Sequence, residues 1–107
     1  MNWPEIVRRC FERDRVLYSR HARREMRAEE FGAISDEEVN EAICAGEVIE
    51  TYPEDSPYPS ALIFGRTKAV RPLHIVCAYD RLDDRSVIVT VYQPDPDQWE
   101  DFRRRKK

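Results

Sequence analysis

A chain of 107 residues, 41% of them hydrophobic, carries enough apolar material for one core and one domain but not for two. Cys10, Cys44 and Cys77 are odd in number and include no Cys-x-x-Cys pair, which argues against a disulfide framework and a zinc site and fits a reducing cytoplasm. The net charge of −3 speaks against a uniformly basic nucleic-acid surface, and no apolar run approaches the roughly 18 residues that cross a bilayer.

The N-terminal segment holds Arg8 and Arg9 where a signal peptide would need an apolar stretch, so a cytoplasmic protein is expected. Trp3, Ile6, Val7, Cys10 and Phe11 recur at the spacing of one helix face. Asn2 can cap that helix, Pro4 suits its first turn, and Glu5 stands where a capping-box carboxylate reaches back. A second helix is predicted to start after Ser19 and to end near Gly32, with Tyr18, Ala22 and Met26 on one edge and Arg20, Arg23, Arg24 and Arg27 elsewhere on its surface. For a third helix, Ser35 and Glu38 form a Ser-x-x-Glu capping box, Ile34 and Val39 a hydrophobic staple, and Gly46 marks the end. Asp36, Glu37 and Glu38 lie in its first turn, where the helix dipole favours carboxylates.

Beyond Gly46 the pattern becomes extended. Glu47–Tyr52 and Ala61–Gly65 read as edge-like strands around the proline-rich loop 53–59, and Leu73–Asp80 and Ser86–Tyr92 as a central hairpin. A short C-terminal helix is then predicted to bear Trp99 and Phe102, followed by a frayed basic tail, 103–107. The expected fold is α+β, with N-terminal helices packed on one face of a four-stranded antiparallel sheet.

Charge is unevenly distributed along the chain. Residues 31–65 hold eight acids and no Lys or Arg, whereas residues 1–30 hold eight arginines. Any nucleic-acid surface must therefore use the arginines of the first helices, the group Arg66, Lys68 and Arg71, or the tail; the simpler alternative is that these residues form solvated faces. The glycines Gly32, Gly46 and Gly65 are isolated, so no phosphate-cradling loop is present and no cofactor or metal is implied.

Only two histidines, His21 and His74, offer a side chain that titrates near neutrality. His21 opens the second helix, where a half-buried structural role suffices to explain it. His74 interrupts a strand, sharing a face with Val76, Ala78 and Asp80, while Leu73, Ile75, Cys77 and Tyr79 face the other way. Tyr92 falls on the face of Ser86, Ile88 and Thr90 and meets His74 across the hairpin if the register permits.

The pattern His21-Ala-x-x-Glu-Met26, then Ile34-Ser35-x-Glu-Glu-Val39-x-x-Ala42-Ile43, then Gly46-Glu-Val-Ile-Glu-x-Tyr52-Pro53, and finally Leu73-His-Ile-Val76 and Val89-Thr-Val-Tyr92-x-Pro94, resembles the bacterial domain-of-unknown-function family 4258. The resemblance covers residues 15–95 and leaves an additional helix at 1–14 and the basic tail outside it. It implies a fold related to the RelE, ParE and BrnT-like toxins, a small antitoxin-like partner, and action on RNA or the ribosome. A metal-independent endoribonuclease of that kind needs an acid, a base and cations for the developing charge. His74 and His21 are the candidate acid and base, Arg71, Arg24 and Tyr92 complete the candidate catalytic set, and Arg20, Arg66 and Lys68 are candidate RNA contacts. The acidic middle and the incomplete site favour the alternative, a non-catalytic protein–protein interaction module that binds through the third helix and the proline loop.

Overall fold

Side-chain caps start all three helices of the computed structural model, which describes all 107 residues. Asn2 accepts from the Glu5 amide to open α1 (Trp3–Glu12), Ser19 from Ala22 to open α2 (Arg20–Ala28), and Ser35 from Glu38 to open α3 (Asp36–Cys44). The Ser35–Glu38 capping box is reciprocal, with the Ser35 amide donating to Glu38 Oε1 at 3.0 Å. Glu5 instead meets the Asn2 side-chain amide at 2.9 Å. The second helix stops at Ala28, short of Gly32, because Glu29 turns into extended backbone and Ile34 folds back to donate to Met26 O. Gly32, at φ +110°, occupies a conformation open to glycine.

The sheet has five strands rather than four and is mixed rather than antiparallel. Its order is β1 (Val16–Tyr18), β5 (Arg85–Tyr92), β4 (Pro72–Asp80), β3 (Ser60–Arg66) and β2 (Glu47–Tyr52). Strand β1 lies parallel to β5, with Leu17 opposite Val87, and takes Tyr18 out of the predicted helix edge. Three residues are too few to reveal a period of two, so this strand left no pattern in the sequence. Two helices and three strands separate it from β5, so no tight turn constrains the pair to be antiparallel. Strand β3 is interior, not edge-like, and every residue from Ser60 to Gly65 is buried.

All three helices pack on one face. Trp3, Val7 and Cys10 from α1, Ala22 and Met26 from α2, and Val39, Ala42 and Ile43 from α3 meet Ala61, Ile63, Leu73, Ile75, Cys77, Ile88 and Val91 in one core. The N-terminal helix is thus part of the domain's core. Gly65 permits the closest approach, since a Cβ there would lie 1.9 Å from the carbonyl oxygen of Ala42.

Two bulges reset which side chains share a face. On β5 the register advances between Val76–Thr90 and Cys77–Ile88, so Ile88 joins the core and leaves the face of Thr90 and Tyr92. On β2 the shift between Val48 and Glu50 places Glu47 opposite Phe64 and Glu50 opposite Leu62, two neighbours on one face. Without that extra residue, carboxylates three positions apart would point to opposite sides.

No C-terminal helix forms. Trp99–Glu100 (β6) and Arg104–Arg105 (β7) make a small hairpin on the sheet face opposite the helices, turning through Asp101 and Phe102 at φ +52° and +59°. The tail is not frayed through Lys106, whose amide donates to Gln98 O at 2.9 Å. Trp99 and Phe102 anchor it by reaching the aromatic side chains of β3 and β4, burial that a solvent-exposed helix would forgo.

Candidate functional site

His74 and Tyr92 are direct cross-strand partners, as the strand pattern allowed. Their surroundings are those of a packed structural cluster. His74 has no exposed surface, with Trp99 edge-on at 4.4 Å, Tyr92 at 5.2 Å and Phe64 at 5.8 Å between ring centroids. Its Nε2 lies 2.6 Å from the carbonyl oxygen of Phe102 and its Nδ1 lies 3.0 Å from Tyr92 Oη. A carbonyl only accepts, so Nε2 carries the proton and Nδ1 accepts from the phenol. Burial pushes the imidazole pKa down to about 4, while the Phe102 carbonyl opposes the shift. Burial likewise drives Tyr92 up to about 12. The ring is neutral, fully hydrogen-bonded and shut off from solvent, and in this conformation it has no site for a substrate proton.

Arg71 is equally committed. Its Nε donates to Gln93 at 2.7 Å, Nη1 to Ala33 O and Glu38 at 3.1 Å each, and Nη2 to Gly32 O. It staples the 29–33 turn to the start of α3 and the end of β5, on the helix side of the sheet and away from His74. Arg66 lies over the rings of Phe64 and Phe102 at 5.1 and 5.9 Å, at the margin of the hairpin. Lys68 is exposed on the β3–β4 loop, where its amide donates to Glu41. The candidate cations therefore do not converge on one point.

The acidic middle is largely consumed within the fold. Asp36 pairs with Arg23, Glu38 with Arg71, Glu47 with Arg103 and Glu50 with Arg105. Glu41 accepts from the Lys68 amide and Asp55 from the Ser60 hydroxyl. The block that reads as a repelling field is mostly a set of cross-links to basic segments before and after it.

The outer face of α2 gathers three arginines without carboxylate partners. Arg20, Arg24 and Arg27 stand at i, i+4 and i+7, exposed on one stripe opposite the buried Ala22 and Met26. None of the three joins an ion pair in the chain. Beside them His21 is 58% exposed, with Nε2 3.3 Å from Glu25 Oε1. Glu25 is itself fixed, accepting from the Val91 amide at 3.1 Å, and Glu29 accepts from Gln93 at 3.4 Å. These two carboxylates finish the edge of β5 where β1 has ended. The far side of Glu25 opens on a pocket of about 490 Å³ walled by Glu29, Glu30, Asp95, Tyr92 and Trp99, whose charge repels phosphate. The two histidines are thus on opposite sides of the sheet, and only His21 reaches solvent.

Residues 18–93 match the family described as a domain of unknown function, DUF4258. The chain belongs to this family. No curated protein and no solved structure matches it. The matched region begins at the end of β1 and stops just after β5, so it includes α2, His21, Arg71 and His74 but neither α1 nor the hairpin that buries His74.

Three sets of residues escaped the sequence reading. Glu25 carried a usable signal, its i+4 spacing from His21 on a helix. Glu47 and Glu50 carried none, because a bulge places them together. The C-terminal Trp99, Phe102, Arg103 and Arg105 were read as helix and tail, and only their docking reveals their role.

Proposed function

We propose that the protein is the toxin-like member of a toxin–antitoxin-type pair, on a fold related to the RelE, ParE and BrnT-like toxins, and that it contacts RNA or the ribosome through the outer face of α2. The observation that carries this reading is the stripe Arg20–Arg24–Arg27, three exposed arginines on one helix face, none of them in an ion pair. Arginines spaced along one helix face suit successive backbone phosphates. Flanking that stripe is the one solvent-accessible imidazole, that of His21, oriented by Glu25. In metal-independent cleavage His21 would take or return a proton at the 2′-hydroxyl or leaving oxygen, with Arg20 and Arg24 holding the phosphate. His74, Tyr92 and Arg71 have no part in this version of the site.

A second reading, a non-catalytic interaction module, is favoured by the convexity of a lone helix face, which offers no cleft to exclude water. The partner would then present an acidic surface to the same arginines. Induced expression tests the two together with RNA binding in vitro. Growth arrest with RNA cleavage that is lost in His21→Ala supports the enzyme. Arrest without cleavage, relieved by replacing the three arginines with glutamate, supports an occluding toxin. A harmless wild-type protein that shows no salt-dependent RNA binding overturns the proposal and leaves the interaction module.

A further inference from the structure

The sheet face opposite the helices is finished by residues outside the family-matched region. Leu62, Phe64, His74 and Tyr92 stand on that face in adjacent strands, and the bulge in β2 turns Glu47 and Glu50 toward the same side. Together they form an aromatic and aliphatic strip with an acidic border. The hairpin fills it as a bound peptide would. Trp99 stands edge-on to His74, Phe102 lies 6.0 Å from Phe64, Arg103 reaches Glu47, and Arg105 holds Glu50 through bonds of 3.0 and 3.1 Å.

No backbone ladder joins the hairpin to the sheet, and its main chain contributes one bond to it, from His74 to Phe102 O. Its turn is also unfavourable. Asp101 and Phe102 both have positive φ, an arrangement in which the second residue is usually glycine. A phenylalanine persists there because its ring and its carbonyl are both used against the sheet. Gln93–Gln98, with Pro94 and Pro96, form the tether.

We infer that this face is a binding groove for an arginine- and aromatic-bearing hairpin of a partner protein, and that the C-terminal hairpin is its occupant in cis. The hairpin holds the advantage of its tether, which gives it an effective concentration on the order of millimolar. A partner segment holds the advantage of offering the same side chains on unstrained backbone.

A fluorescein-labelled peptide of residues 97–107, with D-phenylalanine at 102 to favour the turn, tests this against the full-length protein by fluorescence anisotropy. Arg103→Glu with Arg105→Glu frees the groove, because the reversed charges face Glu47 and Glu50. The expected result is saturable binding at least tenfold tighter than to the wild type, lost when Glu50→Arg is added. Absence of binding to a protein with native circular dichroism, or binding indifferent to Glu50→Arg, overturns the inference. If the doubly reversed protein does not fold, Phe102→Ala in the full chain frees the groove instead, and the same two outcomes decide.

Discussion

The imidazole of His74 donates from Nε2 to the carbonyl oxygen of Phe102, 28 residues further along the chain and 2.6 Å away. This bond ties the centre of the sheet to a hairpin outside the family-matched region, and it requires a neutral ring whose other nitrogen accepts from Tyr92.

That requirement predicts a pH dependence. Folded His74 resists protonation until about pH 4, whereas an unfolded chain takes up the proton near pH 6.5. Between those values the unfolded state binds a proton that the folded state refuses. Stability is therefore complete above about pH 6.5 and falls as the pH drops toward 4, by at most about 3 kcal/mol. Urea unfolding from pH 7.5 to 4.5 should show this slope, and His74→Gln should flatten it; an unchanged slope in the variant would assign it to other groups.

Gly65→Ala should be among the most damaging single-methyl additions. The new Cβ would meet the backbone of Ala42, which cannot swing aside as a side chain would. A loss of about 3 kcal/mol or more is expected, or displacement of α3 from the sheet. Thermal denaturation measures the first, and amide exchange over α3 the second.

Arg71→Lys should destabilise by about 2 kcal/mol or more, because an ammonium cannot reach Gln93, Glu38 and two carbonyls in one geometry. Amide exchange should quicken at 29–34 and at the start of α3, while RNA binding through α2 stays unchanged. Loss of RNA binding in a folded Arg71→Lys protein would return this residue to the functional site.

The α2 stripe predicts a quantitative salt effect. If Arg20, Arg24 and Arg27 each neutralise one phosphate, replacing any one of them with glutamine should lower the slope of log K against log salt by about 0.7 on single-stranded RNA. The same change at Arg66, which lies over Phe64 on the far side of the sheet, should leave the slope as it is. Equal effects at both places would mean diffuse attraction rather than a site.

Ser35→Ala removes one half of the α3 capping box and should cost about 1 kcal/mol in denaturant unfolding. A neutral result would show that the contact between Arg71 and Glu38 alone holds the helix start.

Much of the architecture could be read from local pattern. The caps at Asn2, Ser19 and Ser35, the apolar stripe of α1 and the alternation of β4 are short-range signals, set by backbone hydrogen-bonding needs and by burial of one face. The hairpin was legible but the adjacency of His74 and Tyr92 was not, since the register at the turn, Asp80 opposite Arg85, would set His74 against Val91, and the bulge between Val76 and Cys77 advances it to Tyr92. The parallel strand β1 was invisible because three residues have no measurable period. The bulges were invisible because an extra residue costs the sequence nothing that composition reveals.

By itself the sequence determined which segments bury an apolar face and which residues could titrate or carry charge, because those properties reside in the residues and their spacing. Only the tertiary structure decided how these are spent. It drew four carboxylates of an acidic block into internal ion pairs, laid a C-terminal hairpin over His74, and left three arginines of α2 in one stripe facing water. Each outcome depends on partners far apart in the chain, 56 residues for Arg103 and Glu47, and pairing over such distances is settled by packing rather than by any local pattern.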